Sequence, residues 1–331
     1  MLNKIPTIEN DLLELENKLV HYLMTPNKPT NQILEHIFSS GGKRIRPALF
    51  LCASKIINYD GEFKYPMAAV CEYIHTASLL HDDVIDNSTL RRNKPTVNSV
   101  WGDETAVLSG DLIYSTACRL MVKTRNLELI DCFAECIRFM SESELFQLDM
   151  LWNLDISIEQ YMRIVHGKTA FLFEASCKTP ALLNNSDKNI YELLAEYGKN
   201  LGFAFQIADD CLDYEGNQEI LGKPVASDLF EGKITLPLIY ALQQKDSKLY
   251  ALVKNIIETG EATAEEKEQL IFQVKEKNGL KMAIEKAHEF AERSILALDE
   301  ICLLTQNKSS DFIELIEMMK NLTFFALKRN K

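Results

Sequence analysis

The sequence predicts an all-α protein. Apolar residues recur at helical spacing along almost the whole chain, strand-like alternation is hard to find, and only 13 glycines and 9 prolines interrupt 331 residues. Leu12, Leu13, Leu19 and Leu23 mark a first helical stripe, and Ile33, Leu34, Ile37 and Phe38 a second. Residues 68–80 and 201–208 are apolar around most of a helical circumference, the pattern of buried helices. Ile313, Leu315, Ile316, Met319, Leu322 and Phe325 form the last stripe. Breaks fall where Gly, Pro, Asn and Asp cluster, at 26–29, 39–42, 58–61, 92–95, 183–188, 216–224 and 260–263. This divides the chain into about ten or more helices. No Ser/Gly linker and no short-period repeat separates them, so residues 1–331 read as a single domain.

Composition narrows the function. The chain is 47% hydrophobic and 25% charged, which suits a globular protein with a sizeable core. Its 36 basic and 48 acidic residues leave a net charge of −12, against the basic surface a nucleic-acid binder needs. Eight cysteines lie mostly among apolar neighbours without a Cys-x-x-Cys pair, and read as reduced, buried residues of a cytoplasmic protein. Residues 1–6 lack the apolar core of a signal peptide. The longest apolar stretch, 67–80, contains Glu72 and His75 and is too short to span a membrane. The expectation is a soluble protein with no more than transient membrane contact.

The chemistry is concentrated in two Asp-Asp-x-x-Asp runs, Asp82-Asp83-Val84-Ile85-Asp86 and Asp209-Asp210-Cys211-Leu212-Asp213. On a helix, residues i and i+4 share a face, so Asp82 pairs with Asp86 and Asp209 with Asp213, flanked by Asp83 and Asp210. Clustered like charges destabilise a helix unless a cation compensates, and hard carboxylate oxygens suit Mg²⁺. Each run ends an apolar helix, and two such helices packed side by side would face their carboxylates across one cavity mouth. Basic turns accompany the acids. Gly41-Gly42-Lys43-Arg44-Ile45-Arg46-Pro47 joins two helical stripes, with glycines suited to a helix end and a proline suited to a helix start. Leu90-Arg91-Arg92-Asn93-Lys94-Pro95 follows the first acidic run, and Lys168, Lys223 and Lys233 accompany later turns or helix starts. Cations at a helix N-terminus recognise phosphate. The alternative of solvated helix ends suits one such motif better than two accompanied by basic turns. A di-iron carboxylate bundle would use paired Glu-x-x-His motifs, and Glu72 to His75 and Glu285 to His288 match that spacing. It would leave the six aspartates and the basic turns without a purpose. His21, His36 and His288 read as surface or interface residues.

These residues resemble the trans-isoprenyl diphosphate synthase family. The likeness rests on 41–47, Asp82 to Asp86 with Leu90-Arg91-Arg92, Lys168-Thr169, Gln206 with Asp209 to Asp213, and Gly222-Lys223-Pro224 with Glu231-Gly232-Lys233-Ile234-Thr235-Leu236-Pro237. It runs in order from about residue 30 to 240, and the combination is specific although each part is modest. The resemblance implies a helical bundle of the isoprenoid synthase type with a deep central cavity, a homodimer, and Mg²⁺. The implied reaction joins isopentenyl diphosphate to an allylic diphosphate, farnesyl or geranylgeranyl. Asp82, Asp83 and Asp86 would bind the allylic diphosphate through Mg²⁺, with Asp209, Asp210 and Asp213 completing the metal site. Lys43, Arg46, His75 and Arg92 would hold isopentenyl diphosphate, and Arg91, Lys168, Lys223 and Lys233 the allylic diphosphate. Thr169 and Gln206 would offer oxygen dipoles to the allylic cation, and the released diphosphate would take the final proton.

Product length turns on the residues before the first run. Ala77 and Ser78 stand five and four positions ahead of Asp82, where short-chain relatives often place aromatic rings. Small residues leave the cavity open downward, which resembles the long-chain branch of octaprenyl and heptaprenyl diphosphate synthases. Met121, Phe133 and Phe146 are candidates for the floor, and equally for ordinary core. The chain departs from the long-chain pattern at Ala226, where Gly is common, at Phe230, where a polar residue is common, and at 327–331. Competing readings are a short-chain farnesyl or geranylgeranyl diphosphate synthase, a subunit of a heteromeric synthase, and a class I terpene cyclase. The last normally lacks the Gly-Gly-Lys-Arg turn.

Overall fold

The computed structural model describes residues 6–39, 41–92, 94–215, 227–307 and 309–327. It divides into two compact units, one formed by residues 1–137, 175–195 and 306–318, the other by 138–174, 196–305 and 319–331. Lys223 and Ala226 lie outside the described residues, as do 328–331.

The all-α expectation holds, and the breaks expected at 26–29, 58–61, 183–188 and 260–263 fall at helix ends, whereas 216–224 lies outside the described residues. In chain order the α-helices are α1 (Pro6–Leu19), α2 (Lys28–Ser39), α3 (Ile45–Ile56), α4 (Lys64–Ile85), α5 (Val97–Trp101), α6 (Asp103–Lys123), α7 (Leu127–Asp149), α8 (Ile158–Val165), α9 (Phe171–Leu183) and α10 (Lys188–Glu215). They continue as α11 (Ser227–Phe230), α12 (Leu236–Leu242), α13 (Ser247–Thr259), α14 (Ala264–Glu276), α15 (Gly279–Thr305) and α16 (Ser310–Leu327). A 3₁₀ turn covers His21–Leu23. Start signals act locally: Ser157 and Gln160 form a reciprocal capping box at α8, and Thr263 and Glu266 form another at α14.

Two elements differ from the sequence reading. The segment at 92–95 is not a bare break but the end of a hairpin, in which β1 (Leu90–Arg91) pairs antiparallel with β2 (Lys94–Pro95). Two-residue strands are too short to show alternation. Lys168 and Thr169 stand at neither a turn nor a helix start. They lie in a π turn, His166–Ala170, that runs from α8 straight into α9. Wide turns of this kind are rare and concentrate at functional sites.

In the first unit, α4 packs against α6 and α3. The interior includes Leu15 and Leu19 of α1, Leu49 and Phe50 of α3, Val70, Tyr73 and Ile74 of α4, and Ile113 of α6, all fully buried. In the second, α12 packs against α15 and α14 around Ile207, Leu229, Leu236, Leu238, Val253, Leu270 and Ala283.

The basic turn of the first unit contributes a structural ion pair. Arg44 adopts a left-handed conformation, φ 47°, just before α3. This turns its side chain inward, where it is 7% exposed. Its Nη1 donates to Glu72 Oε1 at 2.6 Å and its Nε to Glu16 Oε1 at 2.5 Å. Glu72 is therefore the partner of Arg44 and no metal ligand, which sets aside the di-iron reading of Glu72 and His75. Removing one partner of a buried pair strands the other charge, at about 3–5 kcal/mol, whereas replacing both with apolar groups is often close to neutral. Arg44→Met should lower unfolding stability by about that amount in urea titrations, and Arg44→Met with Glu72→Met should recover most of it. Equal losses in the single and double variants would sink this account.

Candidate active site

In the first unit the acidic run forms the last turn of α4, as its spacing predicts. Asp86 caps the helix, its N–H donating to the Asp82 carbonyl at 2.8 Å. The three carboxylates are not equivalent. Asp82 is partly buried and Asp86 exposed, while Asp83 is 3% exposed. Arg91, from the hairpin, grips Asp83: Nη2 donates to Oδ1 at 2.7 Å, and Nε lies 3.0 and 3.2 Å from the two oxygens. The hairpin thereby docks on the helix that carries the acids.

It also docks on the loop between α2 and α3. Arg92 Nη1 donates to the Gly41 carbonyl, Lys94 Nζ donates to the Ser39 carbonyl at 2.7 Å, and His36 Nε2 lies 3.0 Å from the Pro95 carbonyl. These cations meet carbonyls at and beyond the C-terminus of α2, where the helix dipole favours them. A pocket of about 60 Å³ lies here, walled by Arg44, Glu72, His75, Asp83, Arg91 and Arg92 among others. His75 lies two turns before Asp82 on α4. Burial and the guanidinium groups of Arg46, Arg92, Arg91 and Arg44 hold its imidazole well below the usual range, so it is neutral at pH 7. Lys43 is exposed and Arg46 partly buried beside this cluster's helix start. The structure thus gathers His75, Arg91 and Arg92 around one cavity, with Arg44 in its wall engaged by Glu16 and Glu72.

Ala77 is fully buried on α4, and the Ser78 hydroxyl donates back to the His75 carbonyl at 2.9 Å. Of the floor candidates, Met121 and Phe133 are buried in the first unit, and Phe146 packs on the core of the second beneath the guanidinium of Arg163, 4.8 Å from its ring centre.

In the second unit, Asp209, Asp210 and Asp213 lie in the last turns of α10. Asp209 is exposed, and Asp210 and Asp213 are each 6% exposed. Asp213 accepts from the backbone N–H of Ser227 (3.0 Å) and of Asp228 (3.1 Å) and from the Ser227 hydroxyl (3.1 Å), so it tethers the start of α11. Asp210 accepts from the Tyr161 hydroxyl at 2.6 Å and from Gln206 Nε2 at 2.8 Å. The Thr169 hydroxyl donates to Gln206 Oε1 at 2.8 Å. Two glycines permit these approaches. A Cβ on Gly202 would stand 2.5 Å from Ala170 Cα, and one on Gly167 would stand 1.8 Å from Ser143 Oγ. Lys168 pairs with Glu144 at 2.9 Å and Lys233 with Glu231 at 2.6 Å. Tyr161, Lys168, Thr169, Gln206, Asp210 and Lys233 share the wall of a cavity of about 140 Å³.

Burial raises all three inner carboxyls of this unit. Asp210 is pushed up to about 7, chiefly by burial, with the charges of Asp209 and Asp213 adding to it and the Tyr161 and Gln206 hydrogen bonds opposing it. Asp213 is raised for the same main reason. Asp228 is raised well above the carboxylate range by burial and by Asp210, Asp213 and Glu231. Such a concentration of negative charge, with oxygen donors only, fits a hard divalent cation. Among the described residues no three His, Cys, Asp or Glu side chains close on one point.

Sequence reasoning missed Tyr161, Glu144 and Asp228. Asp228 sits in the same short segment as Lys233 and carried its own signal. Tyr161 and Glu144 reach the site only through folding, from the first half of α8 and from near the end of α7.

Comparison with known proteins identifies the family. The polyprenyl synthetase family model matches residues 27–274. Octaprenyl diphosphate synthase of Escherichia coli is 36% identical over 288 residues, covering 87% of this chain and 89% of that protein. The crystal structure of a decaprenyl diphosphate synthase from Rhodobacter capsulatus superposes with a TM-score of 0.90 at 30% identity, covering 98% of this chain and 97% of that one. A polyprenyl synthase from Caulobacter crescentus, complexed with calcium and isoprenyl diphosphate, gives a TM-score of 0.86 at 32% identity, covering 97% and 96%. By these matches the chain belongs to the polyprenyl synthetase family and is a prenyltransferase.

Proposed function

We propose that the chain condenses isopentenyl diphosphate with an allylic diphosphate, repeatedly, to give a long-chain all-trans polyprenyl diphosphate. The observation that carries this is the pairing of two acidic helix ends with basic and neutral hydrogen-bonding groups of the kind diphosphates require, in a chain similar over nearly its full length to octaprenyl and decaprenyl diphosphate synthases. The family match runs through segments of both units, which supports a single synthase domain.

Each group then has a task. Asp82 and Asp86 present carboxylates for a cation on the allylic diphosphate, and Asp83 holds Arg91 ready beside them. Asp209 is the outermost carboxylate of the second run. Mg²⁺ bound to such carboxylates supplies a Lewis acid for the departing diphosphate. Lys168 and Lys233 exchange carboxylate partners for phosphate oxygens, and Lys223 is assigned to the same anion. Lys43, Arg46, Arg92 and neutral His75 hold isopentenyl diphosphate, with His75 donating a ring N–H. Loss of the allylic diphosphate leaves a cation, which the dipoles of Thr169 and Gln206 stabilise where it develops. The alkene of isopentenyl diphosphate forms the new carbon–carbon bond, and the released diphosphate takes the proton that restores the double bond. Apolar walls keep water from quenching the cation.

A homodimer is part of the proposal. The outer face of α6 exposes Val107, Leu108 (66%) and Val122 (61%) among polar residues, which we assign to contact with a second copy of the chain. No helix among the described residues is long and apolar enough to cross a membrane, and we place the protein in the cytoplasm.

The deciding assay gives the purified chain Mg²⁺, labelled isopentenyl diphosphate and farnesyl diphosphate, and sizes the products. Long-chain products support the proposal, and absence of elongation overturns it. Asp82→Ala should reduce turnover by about 10²-fold or more; near-normal turnover would remove Asp82 from the metal site. Ala77→Phe should shorten the product to about three or four isoprene units, one helical turn of cavity depth corresponding to roughly one unit. Unchanged long products would refute the floor assignment. Cation binding should also depend on pH in a fixed direction. Asp210, at about 7, holds a proton below neutrality that a cation must displace. The rise in melting temperature on adding Mg²⁺ should therefore be larger at pH 8 than at pH 6, and a pH-independent rise would contradict the role of the buried carboxyls.

A further inference from the structure

We infer that Tyr161 is a positioning residue for the ionisation step: through Asp210 it sets the direction of a hydrogen-bond chain that ends at Thr169. The inference rests on the proposed reaction and adds to it a residue outside the motifs. The chain runs Tyr161 hydroxyl, Asp210 carboxylate, Gln206 amide, Thr169 hydroxyl, with links of 2.6, 2.8 and 2.8 Å. Tyr161, Asp210 and Thr169 are nearly buried, at 4%, 6% and 5% exposure.

The polarity of this chain follows from one member. Gln206 presents its NH₂ group to Asp210 and its carbonyl to Thr169, and the Tyr161 hydroxyl donates to the other oxygen of Asp210, so both neighbours of that carboxyl donate to it. A carbonyl only accepts, so the Thr169 hydroxyl must spend its single proton on Gln206. What remains on Thr169 Oγ1 is lone-pair density, the polarity a developing cation needs and the opposite of a proton donor. With Asp210 held at one oxygen only, its carboxylate and the Gln206 amide could rotate together. The Tyr161 phenol, engaging the second oxygen, prevents that rotation. Tyr161 lies on α8, Thr169 on the π turn that follows it, and Gln206 and Asp210 one turn apart on α10. The chain thus crosses between two neighbouring helices and returns, and the Gly202 approach to Ala170 sets their spacing. Tyr161 itself touches neither reacting atom in this account.

The test is a double-mutant cycle read by single-turnover kinetics. Tyr161→Phe keeps the ring and removes the donor. It should slow the first condensation about tenfold, the worth of a hydrogen bond to a charged group, while changing allylic diphosphate binding by less than about twofold. Thr169→Val should slow the same step. Adding Tyr161→Phe to Thr169→Val should then cost less than about twofold, because the group through which Tyr161 acts is already gone. A purely structural role predicts independent, multiplying losses, and that result overturns the inference. So does an unchanged rate in Tyr161→Phe, or a loss confined to binding. If Tyr161→Phe does not fold, Tyr161→Met, which fills the same space flexibly, enters the same cycle. An unmodified chain that adds no isopentenyl unit overturns the reaction together with this role, whereas turnover by the unmodified chain with multiplying losses overturns the role alone.

Discussion

A carboxyl group placed inside apolar packing is the constraint around which the second unit is arranged. Asp210 sits within the core face of α10, and its ionisation is opposed by burial and by two neighbouring acids. Protein interiors tolerate such a group only when its oxygens are occupied by donors. Tyr161 and Gln206 supply them, and each brings an element with it: α8 through the phenol, the π turn through the Thr169 link to Gln206. Asp213 plays the equivalent part for α11, recruiting two backbone N–H groups and a hydroxyl. The carboxylates that read in sequence as a single ligand set are thus also the fasteners that bring the rest of the unit to them.

The same division of labour separates the six aspartates. Asp83, Asp210 and Asp213 are buried and engaged by protein donors, while Asp86 and Asp209 are exposed and Asp82 is partly buried. In the first run one buried carboxylate fixes a partner, and in the second run two do. Arg44 follows a related logic. It stands in sequence between two other cations, Lys43 and Arg46, yet its left-handed backbone sends it to Glu16 and Glu72.

Much of this was legible in the sequence, because it depends on local rules. Helical spacing located the helices, Gly and Pro clusters located the breaks, and the i, i+4 relation placed Asp82 with Asp86 at a helix end. The hairpin was not legible, since four paired residues carry no periodicity. The inward turn of Arg44 was not, since it depends on Glu72, which lies 28 positions away, and on Glu16. Tyr161 escaped for a similar reason. A tyrosine on an apolar helix face looks like core until α10, nearly fifty positions on, brings Asp210 to its hydroxyl. The π turn escaped because a helix with one wide turn still reads as a helix.

That wide turn fits five backbone steps where an α-helix fits four. In effect it is a helix holding one residue more than its neighbours have room for. The stripe of α8 and the stripe of α9 are therefore out of phase, each correct for its own surroundings, with Lys168 and Thr169 at the fault between them. Taking out one residue would close the fault and swing everything beyond it by about 100°. In geometric terms, Lys168 and Thr169 owe their orientation to a dislocation, a defect that the regular helices on either side keep from healing.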